Sequence, residues 1–241
     1  MAAAIILRDL CFRFAKSEPY VLKYLSAEFA PGQIHGIVGG NASGKSTLLG
    51  LISGVLKSQI GYIRRDKDLR LAALPQNPKA SFVHDTLRED LLELGTDLNL
   101  VQELSQRLDI SHVLDRHPYD VSGGEAQKAA LAKLLLTNPD ILLLDEPTKG
   151  LDAEAKLEIG RIFSRLALEG KTIIMVTHDL PFAAMHTQSC SLLANGELIA
   201  HGQTRDFFMG NSFYTTPTNR MTRGILDNCV TVEDAVKALQ S

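Results

Sequence analysis

The stretch Gly39 to Thr47, GGNASGKST, constrains the fold of this 241-residue chain more than any other. Gly39, Gly44, Lys45 and Ser46 fill every fixed position of the phosphate-loop pattern G-x-x-x-x-G-K-[ST]. The glycines let successive backbone N–H groups turn toward an anion, and the following helix adds its N-terminal dipole. Lys45 supplies a point charge, and the Ser46 hydroxyl can ligate Mg²⁺. Such a loop belongs between a strand and a helix, and the flanks comply. Gln33 to Val38 reads as a strand, and Leu48, Leu49, Leu51, Ile52, Val55 and Leu56 are expected on the inner face of a helix. Gly40, Asn41, Ala42, Ser43 and Thr47 complete the cradle. Ala42 stands where many such loops carry glycine, which adds modest backbone strain. The alternative, a glycine-rich turn with a surface lysine, does not need this strand–helix setting.

The rest of the chain reads as a mixed architecture. Residues 5–38 have β character, with Leu25, Ala27 and Phe29 at period two and a turn at Pro31-Gly32. From about Asn77 to Leu136 the pattern changes to short helices, one opened by the capping box Thr86 to Glu89 and another spanning Val101 to Leu108. Ile141 to Leu144 and Thr172 to Val176 are short apolar runs, as expected of parallel strands buried on both faces, and a helix from Glu154 to Leu168 lies between them. That order implies a right-handed crossover. Asn195-Gly196, inside Ser191 to His201, signals a hairpin.

Composition narrows the function classes. The formal net charge of −3 gives no electrostatic case for nucleic acid. Three distant cysteines, Cys11, Cys190 and Cys229, fit neither a disulfide framework nor a paired-cysteine metal site, so a reducing cytoplasm is expected. The early AAAIIL run is too short for a secretory core, and no apolar run approaches the roughly 18 residues of a spanning helix.

Asp145 and Glu146 directly follow the apolar ILLL run, so both are expected at the carboxyl edge of a parallel sheet, where such folds bind phosphate. Asp145 suits Mg²⁺, and Glu146 suits polarisation of an attacking water. Acidic residues before Pro147 could instead only begin a turn. A second anion-binding candidate is Ser122-Gly123-Gly124-Glu125. Ser122 and Glu125 form a capping box for a helix from Glu125 to Leu136, yet capping alone does not require two glycines.

The phosphate loop, Gln76 in LPQNP, VSGGE, ILLLDEP, Gly150-Leu151-Asp152 and His178 in VTHD occur in the order seen in ABC-type ATPases, which the chain resembles over nearly its whole length. The resemblance implies an α/β fold: a P-loop NTPase core with an antiparallel β subdomain and an inserted α-helical subdomain. It places the ATPase domain at residues 1–210, the helical subdomain at about 77–137 and a C-terminal extension at 211–241. It implies ATP and Mg²⁺ as ligands. In that family two chains join head to tail, so Ser122, Gly123 and Gly124 would face the partner's ATP and Asp152 would link the two sites. Gln76 would sense Mg²⁺ and the attacking water, His178 would contact the γ-phosphate, and Phe14 would stack on adenine, with a core role for Phe12 and Phe14 open as well. Glu125 stands where glutamine is most usual.

LPQNPKASFVHDTLREDLLE, HPYDVSGGE, DEPTKGLD and NSFYTTPTNRMTR are similar to the ATPase components of energy-coupling factor transporters, which import vitamins and transition-metal ions. This narrower resemblance implies a peripheral subunit on the cytoplasmic face of the membrane, paired with a second ATPase chain and integral membrane subunits, without nucleic acid. The short span from Lys45 to Gln76 resembles the second half of double-ATPase chains. A soluble ABC ATPase not coupled to transport, or an ATP-dependent switch or scaffold, are the rival readings.

Overall fold

Alternation along the central strands decides the architecture. In the computed structural model, which describes residues 4–94 and 97–240, the runs β3 (Ile34–Val38), β6 (Ile141–Asp145) and β7 (Thr172–Thr177) are buried almost throughout. Ile141, Leu143, Ile174 and Val176 point into one hydrophobic cluster, whereas Leu142, Leu144, Ile173 and Met175 point into another. A strand covered on both faces must be apolar at every position, which is why these runs do not alternate with polar residues.

Six strands form this sheet in the order β5-β6-β7-β3-β8-β9, with β5 (Leu71–Leu74), β8 (Ser189–Ala194) and β9 (Glu197–Gln203) completing it. Pairing is parallel except between β8 and β9. Those two are joined by Asn195 (φ 51°) and Gly196 (φ 83°), the expected hairpin turn. The register pairs Leu74 with Leu144, Asp145 with Val176 and Val38 with Thr177. Residues just beyond those positions therefore emerge together at one carboxyl edge.

A separate antiparallel sheet, β2-β1-β4, comprises β1 (Ile5–Phe12), β2 (Leu22–Phe29) and β4 (Ile60–Arg65). Its Ile5, Leu7, Leu10, Leu25 and Phe29 pack with Ile37, Ile174 and helix α1 (Lys45–Ser53). The inner face of α1 is Leu48, Leu49, Leu51 and Ile52. Val55 departs from expectation: Gly54 takes φ 85° and ends the helix, leaving Val55 83% exposed. Leu56 is no longer helical either and folds back so that its N–H donates to Gly50 O at 2.9 Å.

Between β5 and β6 the described residues form only helices and 3₁₀ turns: α2 (Leu87–Leu92), α3 (Leu98–Arg107) and α4 (Gly123–Leu136) are the longer ones. Both expected capping boxes, Thr86/Glu89 and Ser122/Glu125, are formed, though α4 starts at Gly123, two residues before the expected Glu125. The fully buried Asp90 of α2 pairs with Lys133 of α4 at 2.7 Å and also accepts from Val83 N and His84 N. After β6 come α5 (Ala153–Leu168), α6 (Leu180–His186), α7 (Thr204–Gly210), α8 (Pro217–Thr222) and α9 (Val232–Gln240). Buried Thr216 and Asn219 tie α8 to its surroundings by donating to Val230 O and Cys229 O. Cys11, Cys190 and Cys229 are buried free thiols. Among the described residues no helix is long and apolar enough to cross a membrane.

Candidate functional site

The loop between β3 and α1 is held by close backbone packing. A Cβ on Gly39 would sit 2.2 Å from Leu193 O, and one on Gly44 would sit 2.7 Å from Leu22 Cδ2, while Gly44 itself has φ 103°. Only glycine satisfies both conditions. Ala42 adopts φ 59°, a left-handed conformation that gives the modest strain expected there its cause. Lys45 is buried and donates to Gly39 O at 3.0 Å and Gly40 O at 2.9 Å. The Ser43 hydroxyl is buried and, among the described residues, has no hydrogen-bond partner.

A cavity of about 400 Å³ opens over this loop, lined by Asn41 through Thr47 together with Phe14, Val21, Gln76, Asp145 and Glu146. Phe12 is buried in the core, whereas Phe14 lies just past the end of β1 and is 64% exposed, with its ring edge-on to Phe12 at 5.0 Å. The two phenylalanines thus separate into a core residue and a cavity wall. Ser46 hydrogen-bonds the Asp145 carboxylate. Burial pushes the Asp145 carboxyl above its usual range, the Ser46 hydrogen bond opposes this, neighbouring Glu146 adds to it, and Lys45 and Lys149 oppose it.

Glu146 takes φ 50° and is buried. Its backbone N–H donates to Val176 O at 2.9 Å, which anchors it to the neighbouring strand. Its Oε2 accepts from His178 N at 3.2 Å and from His178 Nδ1 at 2.8 Å. A carboxylate can only accept, so Nδ1 carries the proton. His178 lies outside the cavity wall and reaches the site through Glu146.

Ser122, Gly124 and Asp152 lie elsewhere, on the wall of a second cavity of about 240 Å³ shared with Asp109, His112 and Glu125. Ser122 Oγ accepts from Glu125 N at 3.2 Å, and Glu125 Oε2 accepts from Ser122 N at 2.7 Å. Hydrogen bonds with the Ser122 side chain and backbone hold the Glu125 carboxyl below its usual range, against a smaller burial effect. Gly123 is exposed, and a Cβ there would contact Leu151 at 3.6 Å, whereas one on Gly124 would press on Ala155 Cβ at 3.2 Å. Asp152 caps α5 by accepting from Ala155 N at 2.8 Å. The sequence candidates therefore fall into two groups: Phe14, the phosphate loop, Gln76, Asp145 and Glu146 around one cavity, and Ser122, Gly124 and Asp152 around another.

Two contacts have no local sequence signal: His112 Nε2 lies 3.0 Å from Glu125 Oε1, and the Tyr214 hydroxyl lies beside Gly40. Each joins residues brought together only by the tertiary fold.

Residues 22–149 match the ABC transporter family. The chain is 34% identical over 249 residues to an ABC transporter ATP-binding protein of Bacillus anthracis, covering 96% of this chain and 45% of that protein. It thus spans slightly under half the length of the first curated relatives it matches. It is also 31% identical over 218 residues to the energy-coupling factor transporter ATP-binding protein EcfA1 of Mesomycoplasma hyopneumoniae, covering 82% of this chain and 80% of that one. Among solved structures, cbiO1 of Clostridium perfringens, part of the ABC transporter complex cbiONQ, superposes with TM-score 0.79 at 24% identity over 86% of this chain and 91% of that chain. A dimeric ATP-binding cassette bound to ADP and Pi superposes with TM-score 0.73 at 24% identity, over 83% and 99% of the two chains. The fold is that of ABC ATPase cassettes, and the chain belongs to the ABC transporter ATP-binding family.

Proposed function

We propose that this chain binds MgATP and hydrolyses it at an interface between two cassettes, as the energising subunit of an energy-coupling factor type importer. The observation that carries this reading is the first cavity, where an aromatic wall, a phosphate loop and two carboxylates converge. Its electrostatics lack one anion and one cation. The Lys45 ammonium is matched there by neutral carbonyls, and the Ser43 hydroxyl has no partner among the described residues. Asp145 meanwhile carries a carboxylate that burial disfavours. A nucleotide triphosphate answers the first deficit and a divalent cation the second.

Ser46, Asp145 and Gln76 would hold Mg²⁺, which when bound offsets charge on the phosphate oxygens. Lys45 and the N–H groups of residues 39–47 would bind the phosphates, and Phe14 would stack on the base. His178 fastens Glu146 Oε2 through two N–H donors, which leaves Oε1 to accept a proton from water. The water oxygen then bonds to the terminal phosphorus as the bridging P–O bond breaks, ADP leaves, and the proton resides on Glu146. The strained φ of Glu146 and its bond to Val176 hold that carboxylate in place.

The placement of Ser122, Gly124 and Asp152 around a separate cavity supports a site completed by another chain. The likeness to a dimeric cassette and to a part of the cbiONQ complex supports a second ATPase and membrane subunits as partners, on the cytoplasmic face. The EcfA1 relative supports import of a micronutrient. Division into an ATPase domain at 1–210, a helical part at about 77–137 and an extension at 211–241 accords with the helices between β5 and β6 and with α8 and α9 at the end.

The test is Glu146→Gln. It should retain MgATP binding, slow hydrolysis by about 10²-fold or more, and accumulate a closed dimer in size-exclusion chromatography with MgATP. Hydrolysis at the wild-type rate would rule out Glu146 as the base.

A further inference from the structure

We infer that Tyr214 is a positioning residue through which the segment after α7 responds to occupancy of the phosphate loop. This rests on the reading that Lys45 binds nucleotide phosphates. Tyr214 is partly buried against the larger hydrophobic cluster, so its ring is held by the fold. Its hydroxyl is the one non-adjacent atom within 4 Å of a Cβ built on Gly40, at 3.5 Å. Among the described residues that hydroxyl has no hydrogen-bond partner.

The loop supplies the acceptor. Lys45 Nζ donates to the carbonyls of Gly39 and Gly40. A phosphate competes for the same ammonium through a stronger, charge-assisted bond. Movement of Lys45 onto a phosphate leaves the Gly40 carbonyl with only the long bond from Ser43 N at 3.3 Å, and so with one lone pair open to another donor. The Tyr214 O–H, already beside Gly40, takes over as donor. The exchange replaces one hydrogen bond by another and lowers the cost of recruiting Lys45.

The new bond also draws on a rigid segment. Thr215 next to Tyr214 is buried, and its hydroxyl lies 2.6 Å from Phe208 O and 3.0 Å from Asn219 Oδ1, which share its one proton. Thr216 donates to Val230 O at 2.5 Å, and Asn219 donates to Cys229 O at 3.0 Å. A pull on Tyr214 thus reaches α8, Cys229 and Val230 through a continuous set of buried hydrogen bonds. The extension is in this way tightened when the phosphate loop fills.

Tyr214→Phe keeps the ring and removes only the donor. We expect MgATP affinity by calorimetry to fall about fivefold, the size of one hydrogen bond, with hydrogen exchange of the nucleotide-free protein unchanged. In the wild type, ATP should slow exchange of amides at 215–230, and in Tyr214→Phe it should not. Lys45→Ala opens the same lone pair of the Gly40 carbonyl without nucleotide, so its 215–230 amides should be slowed in the absence of ATP, and a Lys45→Ala/Tyr214→Phe double variant should reverse this. Equal ATP affinity in Tyr214→Phe and wild type overturns the proposal, as does a loosening of 215–230 that is the same with and without ATP. Failure of the wild type to bind ATP would instead overturn the nucleotide reading, and the proposal with it.

Discussion

Replacing Asp90 by Asn removes one charge from the interior with almost no change in shape. Asp90 is fully buried, and its Oδ1 accepts from Val83 N at 3.0 Å and Lys133 Nζ at 2.7 Å while Oδ2 accepts from His84 N at 3.2 Å. An asparagine has one acceptor oxygen, so its NH₂ must face either a backbone N–H or the ammonium. Lys133 is only 16% exposed, and its remaining contacts are Ser81 O at 2.9 Å and a long approach to Glu93 at 3.4 Å. Leaving one partner of such a buried pair uncompensated costs about 3–5 kcal/mol. At about 2–4 °C per kcal/mol for a chain of this size, the melting temperature should fall by about 6–20 °C. Circular dichroism at 222 nm reads it. Asp90→Asn/Lys133→Met should recover a good part of the loss, because both charges then leave together. A drop below about 2 °C, or a double variant as unstable as the sum of the singles, refutes the reasoning. The pair has functional weight because it fastens the segment that follows Gln76 to α4, which Ser122 caps and whose first turn holds Gly124.

A Cβ on Gly160 would lie 2.2 Å from His186 Nε2, and that ring is wedged against Phe182 at 4.7 Å, so Gly160→Ala should destabilise by about 1–3 kcal/mol in chemical denaturation and be partly rescued by His186→Ala. Burial raises the folded-state pKa of Asp145, so its favourable contribution is complete below the unfolded carboxyl range and is lost as pH rises through the folded value. Asp145→Asn should therefore melt higher than wild type at neutral pH in EDTA, and this advantage should vanish as pH falls into the carboxyl range; parallel melting curves against pH would contradict it. Ala42→Gly relieves the strain of φ 59° against a gain in unfolded-chain freedom, for a net stabilisation of about 0.5 kcal/mol and a rise of about 1–2 °C in thermal melting.

What the sequence made legible is what short-range physics dictates. The two capping boxes, the Asn195-Gly196 turn and the apolar runs of β6 and β7 each depend on residues within a few positions of one another, and each formed. Val55 failed for an equally local reason, since apolar spacing continued past Gly54 while the backbone did not. The phosphate-loop cavity was legible because strands β3, β5 and β6 end at one edge, which brings Gln76, Asp145 and Glu146 to the loop. Asp90 with Lys133, 43 residues apart, and Tyr214 beside Gly40 left no trace in composition or period, because their partners meet only in the folded chain. Nor could spacing alone have separated Phe12 from Phe14, which differ by the point where β1 stops.

The central claim, that Ser122 and Gly124 complete a site built on another chain's phosphate loop, is tested most directly by mixing two inactive variants. Ser122→Arg puts bulk into the second cavity and leaves the first intact, whereas Lys45→Ala removes the ammonium from the first and leaves the second intact. Each alone should hydrolyse no ATP, and Ser122→Arg should still bind it as a monomer. Mixed in equal amounts, they should recover about a quarter of the wild-type rate, since half of the dimers are mixed and each has one composite site. Loss of ATP binding in monomeric Ser122→Arg would contradict the account, because the serine would then act within its own chain.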